Sequence, residues 1–278
     1  MNSHSPWWVK LPDDELLALR LCDLGLRIGD SPLAARLERL HTELFRAGLR
    51  FRPTAWLSTD WFSPHAVPGF AIPFFLAHPR LARLERRQML EVEGGTTAAC
   101  MRLLRHETGH AIDSAYRLHR RKRWRERFGS ASVRYRPTYV PNPNSRRHVL
   151  NLENWYAQSH PLEDFAETFA VWLQPRSGWR ARYRGSPAYA KLVYVDQLMR
   201  EIAHLPPPVR SREQTDSLPK LRITLREYYA GKKAHYGDVD RSIYDRDLRR
   251  LFSDDAAHSR RKLASRFLRE HRRTLRRQ

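Results

Sequence analysis

The run His106-Glu107-Thr108-Gly109-His110 sets two imidazoles four residues apart, with a carboxylate beside the first. On a helix, positions i and i+4 lie about 40° apart around the axis, so both rings project from one face. Two such imidazoles can share one Zn²⁺. Glu107 is placed to work on a water beside the ion rather than to ligate it. Gly109 stands in mid-helix, where glycine costs roughly 1 kcal/mol relative to alanine. A local rule broken between two histidines points to a site rather than to scaffold.

A zinc ion that performs catalysis needs a third protein ligand and one position left for solvent. The metzincin spacing would require Gly at 113 and His at 116, where this chain has Asp113 and Tyr116. A carboxylate from a later helix fits better. In the segment His160-Pro161-Leu162-Glu163-Asp164-Phe165-Ala166-Glu167, Glu163 and Glu167 share one face of a helix whose other face is aromatic. Glu163 is the candidate ligand. Glu167, one turn on, can accept the free ring N–H of a ligand histidine and so fix its tautomer. His160 reads as an N-cap or structural residue. Asp113 either orients a ligand or bonds the backbone.

The surrounding sequence supplies elements to hold these groups. Gly94-Gly95-Thr96-Thr97 opens a helix expected over residues 97–119, with Leu104, Ala111, Ala115 and Leu118 on its buried stripe. A second strong helix is expected from Pro161 to just before Pro175, and a third near residues 188–204, ahead of Pro206-Pro207-Pro208. Upstream, residues 11–47 read as two helices, the first stopped at Gly29 and the second capped by Ser31-Pro32. Between 51 and 95 the pattern shifts to short apolar runs at 56–58, 70–77 and 89–92, which read as strands with turns. The run from Phe70 to Ala77 suits either an internal core strand or a sheet edge able to pair with an extended peptide. These elements imply a helical segment over 1–50, a catalytic core over 51–205, and a linker with a basic helical extension over 206–278.

With those residues in place, the chain resembles the gluzincin class of zinc metallopeptidases through HETGHAID (106–113) and EDFAE (163–167). From Leu16 to about residue 252 it resembles more closely the bacterial family labelled "putative zinc-binding metallopeptidases". That resemblance includes ALRLCDLGLR (18–27), MLEVEGGT (89–96) and WYAQSHPLEDFAETFAVW (155–172). It implies an α+β, zincin-like core: a small twisted sheet packed on an active-site helix and on a glutamate-bearing helix. It implies His106, His110 and Glu163 as ligands of one zinc per chain, and Glu107 as general base in peptide hydrolysis. The likeness to lethal-factor-type gluzincins further implies Tyr156, seven residues before the glutamate ligand, as the donor that stabilises the oxyanion. Its phenol stands just outside the helix start, which suits that role.

Composition bounds the alternatives. With 278 residues, 41% hydrophobic and 11% aromatic, the chain can bury a core and is not a disordered tail. No apolar run approaches a membrane span, and the N-terminus does not read as a signal peptide. Two cysteines, Cys22 and Cys100, exclude a disulfide scaffold and favour the cytoplasm. A formal net charge of +21, nearly all of it arginine, makes an acidic partner or nucleic acid plausible. The run Arg120 to Arg127 suggests either a phosphate contact with Trp124 stacking or a solvated helix end. Leu263, Phe267, His271 and Leu275 form a stripe along a basic C-terminal helix that could dock on the body or bind an anionic surface. The expected function is a zinc peptidase acting on peptide or protein. Its rivals are a narrow-specificity hydrolase for one partner and a basic nucleic-acid-binding protein with structural zinc.

Overall fold

The computed structural model describes residues 6–136 and 138–238, together with 261, 262, 264, 267 and 271. The chain is α+β and mostly helical: α1 Asp13–Ala18, α2 Pro32–Arg46, β1 Thr54–Ser58, β2 Gly69–Pro73, α3 Pro79–Met89, α4 Thr97–Tyr116, α5 Lys122–Phe128, α6 Pro161–Leu173, α7 Trp179–Arg182, α8 Pro187–Ile202 and α9 Leu225–Asp238. β1 and β2 form a two-stranded parallel sheet, with Trp56 opposite Ala71. No helix among the described residues is long and apolar enough to cross a membrane. Of the C-terminal stripe, Leu263 and Leu275 lie outside the described residues.

α4 is the central element. Thr96 caps it by accepting from the Ala99 N–H, and its C-terminus closes on Arg117 in the left-handed conformation. Fourteen of its residues, Cys100 to Ala115, are buried, including Arg105, His106, Glu107 and Asp113. Burying this many polar groups is tolerated only where each finds a partner. Arg105 finds one in Glu43 of α2, in a two-pronged contact at 2.7 and 2.9 Å with both side chains buried. This fork ties α2 to α4 one residue before the first histidine.

α6 packs against α4 backbone to backbone. Gly109 is the reason it can: a Cβ there would stand 2.7 Å from Ala166 Cα and 3.1 Å from the Ala166 carbonyl oxygen. The glycine in mid-helix thus serves close helix packing, which in turn sets the distance between the metal-site residues on the two helices. α5 covers the opposite side. Trp124 is fully buried against Phe128 and Phe165, so it cannot stack on a phosphate-bearing ligand. The apolar face of α5 fixes it to the core, and its arginines are the solvated side.

Several expected elements differ. Residues 11–29 are not one helix. α1 ends at Ala18, and the chain then pairs with the C-terminal region: Leu21 N–H donates to the Ile223 carbonyl and Cys22 N–H to that of Leu221, both at 2.9 Å. This pairing occupies backbone groups that a continuous helix would use. The run 89–92 is not a strand, because α3, capped by His78 and opened by Pro79, reaches Met89 and stops on Leu90 at φ 72°. Within 70–77 only Phe70 to Pro73 is strand; Phe74–Ala77 is a 3₁₀ turn. β2 is buried throughout, with β1 along one edge and Phe62 bridging to Ala71. Its side chains belong to the core, and on its second edge the described residues add one bridge, from Phe62.

Candidate metal centre

Three side chains from two helices converge. His106 Nε2, His110 Nε2 and Glu163 Oε2 stand 3.1 Å from one another along all three edges. Among the described residues, this is the group of ligating side chains that could hold a metal ion. The donors around a tetrahedral zinc, bonded at 2.0–2.1 Å, are about 3.3 Å apart. The triangle therefore fits a small divalent ion capping its face. Two imidazole nitrogens and a carboxylate are also the donor chemistry that zinc accepts. His106 and Glu163 are buried, whereas His110 keeps 16% side-chain exposure and marks the wetter side.

The positions of these groups follow from their own partners. Glu167, fully buried, accepts three hydrogen bonds at 2.8 Å: from His106 Nδ1, from Asn151 Nδ2 and from the Leu152 backbone N–H. His106 therefore carries its proton on Nδ1 and presents the Nε2 lone pair to the triangle. Glu163 places Oε2 on the histidines and accepts from the Tyr135 hydroxyl at 2.7 Å on Oε1. Tyr135 is in turn stacked on His160, with ring centroids 3.8 Å apart. His160 caps α6 by accepting from the Leu162 N–H and uses its other nitrogen to donate to the Val133 carbonyl. Residues 133–135 are so fastened to the start of the glutamate-bearing helix.

Glu107 is buried beside the triangle, and Ser63 donates to its Oε2 at 3.0 Å. Tyr156 places its ring 5.8 Å from that of His106. Its hydroxyl makes no hydrogen bond among the described residues, leaving a free donor near the centre. Asp113 takes no part: it accepts from the backbone N–H and the ring of His119 at 2.9 and 2.6 Å and so closes the end of α4. Ser63 and Tyr135 were not singled out by the sequence. Neither has a spacing that ties it to the histidines, since each reaches the site through tertiary packing.

The electrostatics are those of a tight carboxylate–imidazole cluster. Burial pushes the Glu107 carboxyl up, although the histidines beside it pull the other way. Burial also opposes charge on Glu163, but His110 and His106 outweigh it and hold that carboxyl well below its usual range. Burial lowers both imidazoles, and the facing carboxylates overcome it, so both end above 6.5. A proton on either ring competes with the metal. Zinc uptake is therefore expected to release protons, and apparent affinity to fall as pH drops through the neutral range. Zinc titrations with proton-release measurements check this; an affinity indifferent to pH would contradict it.

Residues 82–182 of the 278 match the family described as "Putative zinc-binding metallo-peptidase". This segment of the chain is similar to that family. It spans α4 and α6 and contains His106, Glu107, His110, Tyr156 and Glu163. No curated protein and no solved structure matches the chain. A zinc-binding family description and a His-His-Glu triangle of the right size agree on the kind of centre. Glu167→Ala is expected to lower zinc affinity about 10- to 100-fold, because it frees the His106 ring to turn. Competition with a chromogenic chelator measures this, and unchanged affinity would mean that Glu167 does not orient the ring.

Proposed function

We propose that the chain is a zinc-dependent peptidase of gluzincin type. One ion per chain is held by His106, His110 and Glu163 on a zincin-like core built from α4, α6 and the small sheet. The observation that carries this reading is the three-donor triangle with a separate, buried carboxylate, Glu107, beside it. A structural zinc site closes with four protein ligands and has no use for such a carboxylate. That favours the hydrolase over a basic nucleic-acid-binding protein with structural zinc. Two free cysteines accord with a reducing compartment such as the cytoplasm.

Zinc, when bound here, supplies Lewis acidity toward a water and toward the scissile carbonyl. Glu107 takes the proton of the attacking water and delivers it to the leaving amine. Its raised pKa moves it toward the range where a carboxylate both accepts and returns a proton. Ser63 holds Oε2 and so leaves Oε1 as the proton-carrying atom. Tyr156 donates its free phenol to the oxyanion, a contact worth roughly 2.7–4 kcal/mol of barrier in comparable sites. Tyr135 and Glu167 hold Glu163 and His106 in place.

The test is a peptide-library digest of the purified protein, with and without a zinc chelator, alongside a metal assay. Chelator-sensitive cleavage and one zinc per chain are expected. His110→Ala is expected to lose the metal and the cleavage together. Cleavage that survives in His110→Ala without zinc would sink the proposal.

A further inference from the structure

Beside the metal centre lies a cavity of about 230 Å³, lined among others by Arg146, His148, Trp155, Arg182, Tyr183 and Ser186. Its chemistry is one-sided. Two arginines, Trp155 and Tyr183 line it, and no acidic residue does. Among the described residues, neither Arg146 nor Arg182 has an ion-pair partner; Arg182 lies over the ring of Tyr183 at 5.3 Å. Two acids nearby already have cationic partners. Asp196 accepts from Trp172, Arg180 and Arg200, and Asp164 accepts from Lys191.

The cavity is joined to the metal centre through two short connections. Trp155 lines the cavity, and the next residue, Tyr156, faces His106. Asn154 and Trp155 both adopt left-handed backbone, with φ of 57° and 51°. That conformation costs a bulky residue free energy and is held only where its surroundings over-determine it. It turns the chain between a side chain for the cavity and one for the metal centre. On α6, Glu163 belongs to the metal triangle, and its neighbour Asp164 stands 3.8 Å from His148 of the cavity wall. An extended peptide advances about 3.3 Å per residue. The group the cavity would receive is therefore one carried within a few residues of the bond cut at the metal centre.

We propose that this cavity is a substrate pocket for a carboxylate of the peptide, carried by an acidic side chain or by the chain terminus, and that it gives the enzyme a preference for acidic substrates. The inference rests on the peptidase reading and adds a substrate class to it. Arginine forks match carboxylates in geometry and charge, and both forks here are unengaged. The indole N–H of Trp155 and the Tyr183 hydroxyl, which accepts from the Leu150 N–H and keeps its own proton, add neutral donors at the wall.

The test uses three matched peptides built on a sequence cleaved in the library digest: an acetylated, amidated peptide with one Glu; the same peptide with Gln in its place; and the Gln peptide with a free C-terminal carboxylate. Binding to the zinc-loaded Glu107→Gln protein is measured by calorimetry. At least one carboxylate peptide is expected to bind about tenfold more tightly than the neutral one, and which of them does so identifies the source. Arg146→Glu with Arg182→Glu is expected to abolish the preference at unchanged zinc content. Should the double variant not fold, Arg146→Gln and Arg182→Gln are each expected to reduce the preference. Equal binding of all three peptides, or a preference that survives these substitutions, overturns the pocket and leaves the peptidase reading standing. A library digest without any metal-dependent cleavage overturns the peptidase reading itself, and this proposal with it.

Discussion

Glu107→Gln is expected to keep its zinc and to lose turnover by about 10²- to 10⁴-fold, the range that a positioned proton-transfer group supplies. The substitution is nearly isosteric. Its amide can still meet the Ser63 hydroxyl, now 3.0 Å from Oε2, so the fold and the metal triangle have no reason to change. What is lost is the lone pair that accepts the water proton and the acid that returns it to the amine. Metal content by elemental analysis and kcat on a cleaved library peptide together decide the matter. Retained zinc with full turnover would remove Glu107 from the chemistry. Lost zinc would mean that the carboxylate acts on the ion or on the fold, and the three-ligand set would need revision. A protein that uses zinc only as a structural staple would be indifferent to the change.

The candidate metal centre was more legible in the sequence than the fold around it, for a physical reason. A helix converts a spacing of four into a shared face, so His106 with His110, and Glu163 with Glu167, could be read as pairs from the chain alone. The structure brings the first pair to Glu163 Oε2 at 3.1 Å and sets Glu167 on His106 Nδ1 at 2.8 Å. Long amphipathic helices carry the same advantage: α2, α4, α6 and α8 lie close to their expected bounds. Short elements do not. α3 hides its apolar face in Leu81 and Leu84 among arginines, two of which, Arg80 and Arg87, reach across to Asp13. The first helix was overextended because its backbone prefers partners near Leu221 and Ile223, about two hundred residues away in sequence, and no local pattern announces them. Ser63 and Tyr135 escaped for the same reason: one hydroxyl reaches the base and the other the ligand carboxylate through contacts that only the folded chain creates.

The other large effect concerns a residue with no side chain. Gly109→Val is expected to destabilise the protein by about 3 kcal/mol, at the upper end of what overpacking a well-filled interface costs. Helix propensity alone argues the opposite, since valine is modestly better than glycine in a helix interior. The steric term prevails because the first atom a Cβ would meet, at 2.7 Å, is Ala166 Cα, which belongs to the backbone of α6 and cannot rotate away. For α4 to accept the valine, the two helices must separate. Separation draws Glu163 away from His106 and His110, so zinc affinity is expected to fall along with stability. Urea denaturation with the metal removed isolates the packing cost, and a zinc titration reads the geometric one. Ala166→Gly should not rescue the variant, because the obstructing atom remains. Gly231→Ala in α9 is the control: nothing lies within 4 Å of its added Cβ, and it is expected to be neutral or to stabilise by less than about 1 kcal/mol. If Gly109→Val were as stable as the parent and held zinc as tightly, the close contact of α4 with α6 would not be what sets the metal triangle. The distance between the two ligand-bearing helices would then have to be fixed elsewhere, with the buried Arg105–Glu43 fork the next constraint to remove.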